Sequence, residues 1–385
     1  MPAPLTIPLG PTSVRDVWRG PAWLASGHRP FFLATGIYGA LALGMWMFAW
    51  FGLLPLTSSW HGHEMVFGFG VAAIAGFLQA AVPKWTQQPT YRGARAALLF
   101  ALWLVGRVGM WLPGLHLLDL LFLPVLAFHI GRDLYRARNR RNYIVAGVLL
   151  ALWGVDLLYH FGPPSLALRV AVYLVTALIA LIGGRIVPVF TRNAMRLAGE
   201  ADFDCRTPRW LEIAAVPAVL GVAVTELALP SSVASSALAA LAAIVLTWTL
   251  VGWHPWQTRR QPLVWILHVG YGFLPLGFAL KAIADVGGPV GPFAALHALT
   301  AGAIGVMILG VASRAALGHS GRPLQPSRGT VLAYVLVIAG ALLRVLAWQP
   351  HALLAAGVLW SLGFAVFAKE YWPILTRPRA DGQPG

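Results

Sequence analysis

Twelve apolar stretches, parted by Pro, Gly or charge, run the length of this chain and restrict its fold more than any other feature. They lie at about 31–51, 60–82, 95–112, 115–131, 143–161, 165–187, 210–228, 232–252, 262–284, 291–313, 329–347 and 351–372. A helix needs roughly 20 apolar residues to cross a bilayer, and most of these stretches have that length. Of the 385 residues, 58% are hydrophobic and only 11% charged. The expected fold class is all-α: a polytopic membrane protein of about twelve transmembrane helices. It divides into a segment 1–30, one transmembrane domain 31–372 and a tail 373–385. No soluble domain or internal repeat stands out.

The net charge of +15 would suit a nucleic-acid partner, but its distribution argues otherwise. All but four of the 28 Lys and Arg fall in the tails and in every second connection, and the alternate connections carry almost none. The exceptions, Arg107, Arg169, Lys281 and Arg344, lie within or beside spans. By the positive-inside rule both termini are expected in the cytoplasm, and no nucleic-acid partner is needed. The Pro-rich stretch Met1–Val14 lacks the basic-then-apolar pattern of a signal peptide. A lone Cys205 cannot form an intramolecular disulfide, so a cofactor would use nitrogen or oxygen ligands.

Function is sought first at Trp60-His61-Gly62-His63-Glu64-Met65, where the second span opens. Ionisable groups inside a membrane are rare and tend to mark metal, proton or substrate sites. The expected topology gives every histidine a depth. His61 and His63 start the second span on the outer side and His160 ends the fifth there. His297 lies six residues into the tenth span, roughly 9 Å deep. Four histidines from three spans thus share the outer third of the membrane. His28, His254 and His319 lie on the inner side, and His268 one or two turns into the ninth span. His116, His254 and His351 read as interfacial.

Helix geometry then limits the roles. His61 and His63 point about 200° apart on a regular helix, so one metal could take both only if the helix start is unwound; otherwise each would serve a different centre, or one would support the other's ligands. Glu64 shares the face of His61 and would fix its tautomer or relay protons. Asp156 and His160, four residues apart, also share a face. Arg107 and Asp119 read as a structural ion pair. Small residues in the second span (Gly68, Gly70, Ala72) and the tenth (Ala298, Ala301, Gly302) allow either close helix packing or a flat macrocycle between helices.

These motifs together resemble the NnrS family of haem- and copper-containing membrane proteins. The likeness rests on His28-Arg29-Pro30-Phe31-Phe32, Trp60 to Phe69, Val82-Pro83-Lys84-Trp85-Thr86 and Arg138 to Asn142. It continues through Gly183 to Pro188, Phe190 to Ala194, Leu296 to Thr300, and Leu317 to Pro323. Lys84 stands where the pattern has Asn, and Gln79 where it has an apolar residue. The resemblance implies a bacterial inner-membrane protein that acts in nitric oxide metabolism or resistance to nitrosative stress. Its partners would be the lipid bilayer, nitric oxide or a related small molecule, and an electron donor of unknown identity.

A weaker resemblance, to subunit I of haem–copper oxidases, implies an oxidase-like bundle. It runs through His61, Met65, Phe67, Gly76-Phe77 and Val82-Pro83, and through His297 with Ala301-Gly302-Ala303. It implies that His61 and His297 are the two axial ligands of one b-type haem, in keeping with imidazole's role as an iron ligand. The adjacent His pair of the oxidase copper site is missing, so copper or another second metal would have to use His63, His160, His268 or His28. Glu64 and Asp156 would support it or relay protons. Arg169 and Arg344, at outer helix ends, are candidates for haem propionates. Arg185, Arg192, Asn193, Arg314 and His319, on the inner side, are candidates for an anion. Two other classes stay open: a cofactor-free secondary transporter, for which mid-membrane polar groups are the signature, and a haem- or copper-handling assembly factor.

Overall fold

The computed structural model describes residues 18–383; Met1–Val14 and Arg15, read above as parts of the N-terminal tail, lie outside the described residues. Each of the twelve apolar stretches is helical. The helices are α1 (His28–Trp50), α2 (Ser58–Thr86), α3 (Ala94–Gly109) and α4 (Phe122–Arg136), the last led by a 3-10 turn over His116–Leu121. Next come α5 (Tyr143–Phe161), α6 (Pro164–Leu197), α7 (Arg209–Ala228) and α8 (Val233–Val251). The chain finishes with α9 (Pro262–Asp285), α10 (Pro292–His319), α11 (Arg328–Leu346) and α12 (Pro350–Thr376). No strand occurs among the described residues. Ten of the twelve are long and apolar enough to cross a membrane. The other two, α3 and α4, have 16 and 15 residues.

One expected connection is half helix. The sixth apolar stretch stops just before Pro188, yet α6 runs on to Leu197 with Pro188 inside it. A proline removes one helical hydrogen bond. The buried stripe of Val187, Pro188, Thr191, Ala194 and Met195 continues past it, and packing of such a face is what holds most helices in place.

Chain neighbours pack side by side, and α12 returns against α1 to close the bundle. The closure is visible in one side chain: Arg29, at the start of α1, donates to Leu375 O (3.3 Å) and Arg377 O (2.7 Å) at the end of α12. Helices α2, α6, α9 and α10 form the interior. The most apolar window of α2 is 83% buried, against 22% for the window that includes α5. A helix apolar all round belongs in such a centre.

Two of these central helices change pitch. A π-helical segment spans Glu64–Gly70 in α2 and another spans Ala298–Ile304 in α10. Each begins directly after a histidine that the sequence singles out, His63 and His297. Such segments are rare and concentrate at functional sites, because the wider turn re-aims side chains and leaves backbone groups free. One such group, Gly68 O, accepts a bond from Trp103 Nε1 at 3.1 Å.

Candidate functional site

The start of α2 feeds two separate sets of donors. His63 points inward and is fully buried. Its Nδ1 lies 2.9 Å from Glu64 Oε1, and its Nε2 lies 3.1 Å from both Asp156 Oδ1 and Asp119 Oδ2. His160 Nε2 stands 3.8 Å from the same Asp156 oxygen. One donor atom from each of His63, Asp119, Asp156 and His160 lies within 4.8 Å of all the others. The four come from α2, the turn before α4, and α5.

Electrostatics make this set distinctive. Arg107 from α3 bonds Glu64 Oε1 at 2.7 Å and also pairs with Asp119, while the Tyr38 hydroxyl donates to Glu64. Three buried carboxylates therefore face one guanidinium, leaving two negative charges for the histidines to meet. Burying charge without compensation is costly. His63 Nε2 looks at two carboxylate oxygens at once, and needs a positive centre between them, a proton or a metal ion. Asp119 Oδ2 and His160 Nε2 have no hydrogen-bond partner, and both are donor atoms of this set. Two imidazoles with two carboxylates suit a divalent transition ion such as copper or zinc, whose charge would balance the surplus.

Close backbone approach makes the cluster possible. A Cβ on Gly68 would lie 2.5 Å from the Tyr38 ring and 3.1 Å from both Arg107 Nη1 and Glu64 Oε2. The rim is aromatic: Tyr159 packs on His63 (centroids 4.3 Å apart) and His116 stacks on His160 (5.3 Å).

His61 faces away from this cluster, as its spacing from His63 requires. Its ring stacks on Trp46 of α1 at 5.0 Å with planes 14° apart, and its Nδ1 is buried without a partner. His297 lies within electrostatic range of it. The His297 Nδ1–H donates to Phe293 O at 2.8 Å, which fixes the tautomer and leaves Nε2 as the free ligand atom. That is the way protein structures commonly hold a metal-binding imidazole. Arg344 is in range of both rings and has no ion-pair or hydrogen-bond partner among the described residues.

The family model of the NnrS protein matches residues 22–379, nearly the whole chain. The chain belongs to the NnrS family. Membership makes this a membrane protein related to nitric oxide, of a family associated with haem and copper. A comparison with curated proteins finds no match.

Against the sequence-based expectations, the NnrS fold brings some residues together and separates others. His63, His160 and Asp156 meet. Asp119, read only as the partner of Arg107, is a fourth donor; its similar depth to His63 was the one available signal. Glu64 is engaged by His63, Arg107 and Tyr38 rather than by His61. His268 is remote from the cluster: it bonds Thr191 Oγ1 at 3.0 Å and packs edge-on to Trp253. His28 sits beside His319 at the opposite end of the bundle. Arg169 is engaged by Glu226 at 2.6 Å. Of the expected inner anion group, Arg185 bonds Asn142, Arg192 bonds Cys205 O, Arg314 lies over the Phe190 ring and Asn193 is exposed.

Proposed function

We propose that this NnrS-family protein is a bacterial inner-membrane haem protein, with both termini cytoplasmic, that acts in nitric oxide metabolism or resistance to nitrosative stress. His61 and His297 hold a b-type haem, and Arg344 takes a propionate by a charge-assisted hydrogen bond. His63, Asp119, Asp156 and His160 hold a divalent metal, with copper the choice that fits the family. A b-type haem supplies a one-electron couple when bound. The protein's own groups do the rest: His297 is oriented by Phe293 O, His61 by Trp46, and the acidic cluster by Arg107 and Tyr38.

The observation that carries this reading is the split at the start of α2. Two histidines separated by one residue serve two neighbouring donor sets, one buried among carboxylates and one among aromatic and apolar groups. With His61 and His297 both given to a haem, a small molecule would be taken up at the neighbouring metal held by His63, Asp119, Asp156 and His160. Glu64, 2.9 Å from His63 Nδ1, would fix the tautomer of that ligand and accept its ring proton.

The test is purification in detergent, followed by reduced-minus-oxidised spectra and metal analysis. His61→Ala or His297→Ala should each abolish a b-type signal while the second metal is retained. Asp156→Asn and His160→Ala should lose that metal and keep the haem. Nitric oxide added to the wild type should perturb the spectrum only while the metal is present. A folded, monodisperse wild type that holds no haem after haem supply during expression would overturn the reading in favour of a cofactor-free transporter.

A further inference from the structure

The end of the bundle opposite His61 holds a second group of buried polar atoms with nothing to bind. It forms where the start of α1, the last two turns of α2 and the end of α10 meet the chain after α12. His28, Arg29 and Gln79 are each no more than 2% exposed. Ser26 Oγ bonds His28 Nδ1 at 2.8 Å, but His28 Nε2 has no partner. Arg29 spends Nη1 on the carbonyls of Leu375 and Arg377, while its Nε and Nη2 are unpaired. Both amide atoms of Gln79 are unpaired, and so is Arg322 Nη1. The Gln79 amide packs against the backbone beside His28, where a Cβ on Gly27 would lie 2.7 Å from Oε1.

The charge around these atoms has one sign. The His28 and His319 rings stand 4.9 Å apart. Arg29, Lys84 and Arg379 all act electrostatically on both rings, and Arg322 and Arg379 act on Arg29. Among the described residues the carboxylate at hand is Asp381, which is exposed and held by Arg379 at 2.9 and 2.5 Å. The tail is pinned across this end: Arg379 Nη1 donates to His319 O, and Ala380 N to Ser320 O, both at 2.9 Å.

Buried like charges repel, and unpaired buried donors forfeit their hydration. One occupant removes both penalties. We propose that His28, Arg29, Gln79, His319 and Arg322 form a binding site for a small oxyanion, taken from solution at this end of the bundle. Guanidinium groups match oxyanions by paired N–H donors, and the imidazole Nε2–H and the Gln79 amide N–H add neutral ones. The same charge disfavours a metal cation, so the His28–His319 pair is an anion clamp. The burial of the donors favours a compact ion over a lipid headgroup tethered to its chains. This proposal is independent of whether His61 and His297 hold haem.

The experiment uses full-length, delipidated protein in detergent and three probes, nitrite, nitrate and inorganic phosphate, against chloride at equal ionic strength. Thermal shift and titration calorimetry read binding. At least one oxyanion should raise Tm saturably in the wild type. Arg322→Gln should weaken it about tenfold or more, the loss expected for a hydrogen bond to a charged group. Gln79→Leu removes two unpaired atoms, so it should raise Tm without anion and weaken the anion response. That combination separates a binding role from a structural one. No saturable response to any of the three ions overturns the proposal, as does a response equal in wild type and both variants. A phospholipid retained stoichiometrically in native mass spectra before delipidation, and lost in Arg322→Gln, would assign the donors to a lipid phosphate and overturn the free ion.

Discussion

Two buried ionic networks lie at the same end of the bundle, and they differ in one respect. Around Glu226, at the end of α7, the charges close on themselves. Arg169 Nε is 2.6 Å from Glu226 Oε1, Lys281 Nζ is 2.8 Å from Oε2 and 2.9 Å from Asp285 Oδ2, and Ser235 donates to Asp285 at 2.6 Å. Two cations meet two carboxylates, and every carboxylate oxygen has a neighbour. Around His63 three carboxylates meet one guanidinium, so the charges do not cancel. The first network joins α6, α7, α8 and α9 and is complete as it stands. The second balances only with further positive charge, a protonated imidazole or a metal ion. Buried charge by itself is therefore poor evidence of a site; the imbalance is what identifies one.

Variants of the two networks should separate them. The largest effect is expected from Asp156→Asn, which should cut the bound divalent metal from about one equivalent to background by elemental analysis. The ion would keep three donors where a closed site needs four, in line with tetrahedral preference. Glu226→Ala should instead leave metal content unchanged and destabilise by about 3–5 kcal/mol, the usual result of stranding buried partners, read as a lowered Tm. Equal metal loss in both variants would erase the distinction.

Chelation sharpens the same contrast. EDTA should lower Tm in the wild type, because a ligand bound only to the folded state stabilises it, and should leave Asp156→Asn unchanged. A smaller effect is expected from Gly68→Ala, whose Cβ meets Tyr38 at 2.5 Å. It should destabilise by about 1–3 kcal/mol, as overpacking does, and weaken metal retention. The smallest effect is a control on folding. Cys205 lies in the connection after α6, is 2% exposed, and its thiol is pushed above the ordinary range by burial. Iodoacetamide should label it slowly at pH 7 in the wild type and in folded variants, and faster as pH rises. Fast labelling at pH 7 would mark a variant as unfolded rather than site-defective.

Hydropathy was enough to locate the helices, ten of them long and apolar enough to cross a membrane, because such a segment must be apolar along its whole length. It misjudged ends such as that of α6, where a proline inside a packed helix looks the same in sequence as one that stops it. The opposed directions of His61 and His63 were legible for a similar reason: their angle follows from helical pitch alone.

Which distant residues would join each histidine was beyond that local geometry. Asp119 lies 56 positions from His63 in the chain, and its second oxygen reaches the ring only because the turn before α4 packs on α3 and α5. Glu64 is held by Arg107 and Tyr38 from α3 and α1, and nothing in its own stretch of sequence announces those partners. The inner arginines show the same limit, since the chain places them at one depth but each finds a different neighbour. What the amino-acid sequence determined by itself was what each position must face, lipid, water or the helix interior, because that depends on transfer free energy residue by residue. What only the tertiary structure decided was which buried charges cancel and which are left over, because that depends on distances of about 3 Å between helices far apart in the chain.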